Sequence, residues 1–310
     1  MQSAVRLSWT ILICLLAWPA GARDIHVSNT AGDDRFTGQH PGNMPDLTGP
    51  VRSIARALRL AAPSDRIVVA NTGQPYRESL SLVGSRHSGA SFQRFVIQGN
   101  GAVLDGSAPV PPDAWEHYRG PVFRFRPISS EHQQLFLNAR PLVRVIADRL
   151  ADAPPKLEPL QWCLHNGRIY FCVEPLKLPE DYPVRFAEKP VGITLFHVQW
   201  VTIANLTIQG FQLDGINAFN SARMVTLAGV TCRGNGRSGI NVGGASLVEI
   251  EGCLVGNNGA AQLLTQPVSE THVDGSDLLS NTAPAWVDHG GRLFLDGKEL
   301  QGGLDVILPK

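Results

Sequence analysis

The chain has 310 residues, with 27 Lys+Arg against 27 Asp+Glu, so its formal net charge is +0. That balance excludes the basic excess of a nucleic-acid-binding domain. A composition of 43% hydrophobic and only 17% charged residues excludes disorder, and 31 Gly with 22 Pro excludes long helical bundles.

Met1–Ala22 reads as a secretory leader. Arg6 is its positive start, Leu7–Trp18 its apolar run and Ala20-Gly21-Ala22 a small-x-small cleavage site. The apolar run is shorter than the ~20 residues of a membrane span. The expectation is cleavage before Arg23 and a secreted mature protein, periplasmic or extracellular, with no membrane contact afterwards. Cys163, Cys172, Cys232 and Cys253 then remain, too few for a disulfide scaffold.

Residues 23–127 read as an N-terminal cap and first coils. Asp24–Val27 is a strand and Gly32–Gly38 a Gly/Asp-rich loop. Within Gly49–Ala61, Ile54, Ala57, Leu58 and Ala61 fall on one helical face. Strand patterns follow at Ser64–Ala70 and Phe95–Gly99. Trp115, His117 and Tyr118 are either a sugar-stacking platform or loop anchors.

Residues 128–197 read as an antiparallel β insert. No repeat is visible at 128–192, which holds eight prolines. Asn166-Gly167 between two apolar runs is a strong hairpin signal. A two-residue turn there sets Cys163 opposite Tyr170 and Cys172 opposite Gln161, a diagonal that leaves a disulfide open. His165 is a turn residue.

Residues 198–286 repeat. Segments starting at Val201, Val225, Val248 and Thr271 are offset by 24, 23 and 23 residues. Four apolar columns can be followed, beginning at Ile203, Leu206, Ile208 and Ile216, beside the column of starting residues. Over these five columns eighteen of twenty positions are apolar, where the 43% hydrophobic composition would place about nine. Thr202, Thr226 and Glu249 alternate with them, as half-buried strands require. Asn235, Asn258 and Asn281 recur every 23 residues, suiting a left-handed turn position and a stacked amide ladder. Cys232 and Cys253 fall on inward positions as small buried hydrophobes. Residues 287–310 read as a C-terminal cap, with a hairpin about Asp296-Gly297.

These features resemble the exported right-handed parallel β-helix proteins of the pectate-lyase-like superfamily. The resemblance is carried by Cys232-Arg-Gly-Asn-Gly-Arg-Ser-Gly-Ile240, the strand pattern and the N-terminal helix. It implies an all-β, right-handed parallel β-helix solenoid with an N-terminal capping helix and an antiparallel β insert. It also implies a polysaccharide or glycan as partner, bound or processed. Calcium enters as the cofactor with which such lyases neutralise a uronate and acidify its α-proton. The catalytic signatures of these relatives are missing, however. There is no Asn-Thr-Asp, no Gly-His-Gly and no Arg-x-Pro-x-x-Arg, and the sole Asp pair, Asp33-Asp34, lies in the N-terminal loop.

Stacking alone then nominates a site. Asp214 lies above Ser238, beside Arg237, as the catalytic candidates. Asn217, Asn241 and Arg233 form the rest of a polar lip for sugar hydroxyls or a carboxylate. A surface ion pair between Asp214 and Arg237 would look the same in sequence. His272, Asp274, Asp288 and His289 form a second cluster, in register with Glu249 and Glu251, without diagnostic metal spacing. The function expected is an exported β-helix that binds or processes polysaccharide, with a polysaccharide lyase or glycoside hydrolase as the enzyme class it would fall in, or alternatively a non-catalytic glycan-binding or surface/adhesion module.

Overall fold

The computed structural model describes residues 22–301, apart from 43, 45, 130, 139 and 149. The expected leader, up to residue 21, and the last part of the expected C-terminal cap lie outside the described residues.

Alternating side chains on short strands build the fold. In each rung a strand runs to a sharp corner, resumes as a second short strand, turns again and forms a third. Parallel pairing stacks Ile25, Ile67, Ile97, Ile203, Leu227, Ile250 and Val273 in one inward column on the first face. On the second face Leu104, Ile208, Cys232, Val255 and Leu278 align. On the third, Leu80, Ile193, Ile216, Ile240, Leu263 and Trp286 align. The register expected from the repeat is the observed one. These columns form one continuous apolar core from Ile25 to Leu293.

The corner between the first and second faces takes two left-handed residues, Asn100 and Gly101, in the rung of Phe95–Asp105, and a single one in each of the next four rungs. Asn205, Gly229, Gly252 and Gly275 supply it, with φ of 50°, 61°, 57° and 53°. Asn235 and Asn258 do not occupy left-handed positions. Gly234 and Asn257, one residue earlier, carry φ of 63° and 58°. Asn235 and Asn258 instead turn inward and are fully buried. Asn258 Oδ1 accepts from the Asn235 backbone N–H at 2.9 Å and from its side-chain amide at 3.0 Å. The ladder then passes through Gln262, whose Oε1 takes the Asn258 amide at 2.8 Å, before reaching Asn281.

The helix spans Ile54–Leu60 and packs Ile54, Ala57 and Leu58 into the core beside the first rungs. Ser53 caps it, and both Glu78 carboxylate oxygens accept its first backbone N–H groups, those of Ile54 and Ala55. At the other end Arg292–Leu295 and Lys298–Leu300 form the expected antiparallel hairpin about Asp296-Gly297.

The insertion is larger at its start than the sequence suggested, and shorter at its end. Two four-stranded antiparallel sheets draw on residues 107–187. Ala108 pairs with Phe186, and Phe123 with Phe171. Residues 107–125 therefore leave the coil path well before residue 128, whereas Ile193–Phe196 is a solenoid strand. The insertion has its own core around Phe125, Trp162, Phe171 and Phe186. Cys163 does face Tyr170, and Asn166-Gly167 makes the turn with φ of 46° and 72°. Cys163, Cys172, Cys232 and Cys253 are all buried free thiols. Burial pushes the Cys163 thiol up to about 11.

Candidate functional site

The third face carries most of the nominated residues. Asp214–Ala218, Ser238–Val242 and Ala261–Thr265 lie side by side there, preceded by Leu80–Val83 and Ile193–Phe196. Asp214 pairs with Ser238, as the repeat required. Its surroundings differ from an open lip. The Asp214 side chain is 0% exposed and that of Arg237 28%. The guanidinium grips the carboxylate as a fork, Nε to Oδ1 at 3.0 Å and Nη2 to Oδ2 at 2.6 Å. Ser238 Oγ donates to Oδ1 at 2.7 Å. The surface ion pair considered above is thus a half-covered pair with a buried acid. The hydrogen bonds from Arg237 to Asp214 raise the guanidinium's pKa against its partial burial. Asp214 has no solvent-facing surface and serves to fix Arg237.

The insertion covers this end of the face. His132, at φ 50°, brings its carbonyl so close to Gly236 that a Cβ there would sit 1.5 Å from the oxygen. Gln212 donates to the Glu131 carbonyl at 2.7 Å and also to Ser129 Oγ. Burial and the nearby Arg237 charge hold the His132 imidazole below its usual pKa. Glycine at residue 236 makes room for two carbonyls, that of His132 from the insertion and that of Gln212 from the preceding rung, whose oxygen a Cβ would approach to 2.3 Å.

Further along the face an amide chain runs across three rungs. Gln266 Nε2 donates to Asn241 Oδ1 at 2.8 Å, and Asn241 Nδ2 donates to Asn217 Oδ1 at 3.0 Å. Asn241 is buried, so it does not itself present to solvent as the lip required. Asn217 is half-buried and ends the chain with its NH2 group unpartnered among the described residues. Beyond it stand Phe196 and Phe219, 43% and 37% exposed, each directly after the in-register pair Leu195–Ala218. Val83 continues this column beside Phe196. Phe196 and Phe219 escaped the sequence reading, although extending the Ile193–Ile216 register by three residues reaches both.

Arg233 is not part of this face. It lies before the Gly234 turn, on the second face, with Nε donating to Gln209 Oε1 at 3.0 Å. The corner separates it from Arg237. The later His/Asp cluster also does not assemble. His272 stacks on Phe294 at 4.6 Å and bonds Glu270 at 2.9 Å, while Asp288 caps the Gly290–Gly291 turn. Trp115 packs against Phe125 at 4.8 Å, and Tyr118 against Tyr170 at 5.0 Å; they anchor the insertion rather than form a platform. Among the described residues no group of three or more His, Cys, Asp or Glu is placed to hold a metal ion.

Comparison with known proteins agrees with this architecture. The family model for the right handed beta helix region matches residues 191–293. No curated protein sequence matches the chain. A solved structure described as a glycoside hydrolase is similar at TM-score 0.56 and 10% identity, covering 90% of this chain and 74% of its own. A complex of XylC with xylose is similar at TM-score 0.42 and 13% identity, covering 88% of this chain and 69% of its own. The GH136 lacto-N-biosidase from Eubacterium ramulus is similar at TM-score 0.42 and 12% identity, covering 82% of this chain and 43% of its own. The strand register makes the fold a parallel β-helix, and residues 191–293 of it match the right handed beta helix region.

Proposed function

We propose that this protein is an exported β-helix that binds polysaccharide across its third face. The observation that carries the reading is the strip from Arg237 through Asn217 to Phe196 and Phe219. Exposed aromatic faces suit the apolar faces of sugar rings. Asn217 offers an amide donor already oriented by Asn241 and Gln266. Arg237, held by Asp214, offers a fixed cation at the insertion's edge, suited to a sugar carboxylate. Export would follow removal of the Met1–Ala22 leader.

Binding without turnover is the reading the geometry favours. A glycosidase needs two carboxylates across the scissile bond. The six strands of this face carry two acids, Asp214, whose oxygens are engaged, and Asp288, which lies three rungs away on the last strand. The second reading is a lyase acting on a uronate polymer, which Arg237 alone favours. A panel of neutral and uronate polymers separates the two. Retention of polymer without unsaturated product or reducing ends, with and without calcium, supports binding. Appearance of an unsaturated product, abolished by Arg237→Ala, supports the lyase.

A further inference from the structure

A second site lies on the other side of the insertion, at the second face. Asp105, Gln209 and Arg233 stack there in register on successive rungs. The insertion brings Arg185 opposite Phe136, and Phe136 opposite Pro141, with Arg140 adjoining. Between the two walls lies a cleft of about 320 Å³, lined also by Asn138 and Asn257. That is within the size of small-ligand pockets.

The charge in this cleft is unbalanced. Arg140, Arg185 and Arg233 line it against a single carboxylate, Asp105. Asp105 is already satisfied. Its Oδ1 accepts from the Ser107 N–H at 2.8 Å and hydroxyl at 2.7 Å, and its Oδ2 from Arg77 at 3.3 Å. Arg185 is fixed by Ser107, its Nε donating to Oγ at 2.9 Å, but it has no acidic partner in an ion pair among the described residues. The same holds for Arg140 and Arg233. Partial burial, with the Arg77 charge nearby, lowers the Arg185 pKa. Arg185 is half-buried, and a guanidinium there without a counter-charge is costly unless an anion completes it, while the exposed Arg140 and Arg233 stand beside it. Their forks match planar or tetrahedral oxyanions. Phe136 and Pro141 supply an apolar surface, and Asn138, Gln209 and Asn257 supply amides, as a sugar ring requires.

We propose that this cleft binds one oxyanion-bearing sugar unit, carboxylated or sulfated, independently of the third face. The sugar part rests on the polysaccharide reading; the oxyanion part rests on the arginines alone. Calorimetric titration of the full mature chain with glucuronate, a sulfated hexose, inorganic sulfate and glucose tests it. The charged sugars should bind, with affinity falling as salt rises, and glucose should not. The two charged sugars distinguish carboxylate from sulfate as the preferred group. Arg233→Gln and Arg140→Gln replace exposed side chains, and each should weaken charged-sugar binding about tenfold, or by 1.4 kcal/mol. Equal binding of glucose, or unchanged affinity in folded Arg233→Gln, would overturn the proposal. Sulfate binding as tightly as the sugars would remove its sugar part. Retention of neutral polymer by Arg233→Gln reports on the third face separately.

Discussion

Asp214 and Arg237, 23 residues apart in sequence and one rung apart in space, form a two-pronged ion pair whose acid is wholly buried. Removing one partner leaves the other charge uncompensated. Arg237→Ala strands the buried Asp214 carboxylate and should therefore destabilise the fold by about 3–5 kcal/mol. Arg237→Lys keeps the charge and loses the fork, and should cost less. Urea midpoints of the two variants check the order.

The Asn235–Asn258 ladder should show a contrast between inside and edge. Asn258→Ala leaves the Asn235 N–H and the Cys232 carbonyl without their partner. Each orphaned group costs about 1–3 kcal/mol. Asn281→Ala, at an exposed position, loses its bonds to Asn257 and Gln262, but Gln262 keeps the Ala283 carbonyl, so the cost should be smaller, about 0.5–1.5 kcal/mol. Thermal unfolding of both variants measures the difference.

Gly236 and Gly252 separate docking from backbone strain. Gly252 has open space at the Cβ position and φ +57°, so Gly252→Ala should cost about 1–2 kcal/mol, from the left-handed backbone alone. Gly236→Ala meets the His132 carbonyl of the insertion and the Gln212 carbonyl of the preceding rung, so it must disturb the docking as well as the turn itself. Proteolysis near Ser129–Gln134 should accelerate in Gly236→Ala and stay unchanged in Gly252→Ala.

Stability should fall on mild acidification through His87. This ring is buried, with Nδ1 accepting from the Val83 N–H at 2.9 Å and Nε2 meeting the Leu58 carbonyl at 3.0 Å. Nδ1 as acceptor and Nε2–H as donor require the neutral ring. Burial lowers its pKa from the ordinary 6.5, so the unfolded chain binds the proton more readily. The contribution is complete above the unfolded pKa and is lost as pH falls through the folded value. His87→Gln should flatten the pH dependence of the melting temperature below 6.5.

The solenoid was legible because every rung solves the same packing problem, so Ile203, Leu227, Ile250 and Val273 repeat one inward position. The insertion's extent was not legible. Its strands pair antiparallel across long separations, as Val122–Phe125 does with Arg168–Cys172, and nothing periodic marks them. Asp214 above Ser238 and Asn217 beside Asn241 followed from register alone. The burial of Asp214 and Asn241 escaped the sequence reading, although Asp214 shares the inward parity of Ile216 and Asn241 is held between Asn217 and Gln266 of the neighbouring rungs. Arg233 was misplaced because four residues suffice to turn a corner, and proximity to Arg237 in sequence hides that turn. The arginine cleft needs Arg185 and Arg140 from the insertion, where repeat logic has no reach.

Affinity of the mature chain for polysaccharide, measured with the Phe196→Ala/Phe219→Ala double variant beside the parent, tests the binding face most directly. Both side chains are exposed, so the variant should fold as the parent does. Loss of two stacking surfaces should weaken binding at least about tenfold. Undiminished affinity in the folded double variant would contradict the third face as the place where sugar lies.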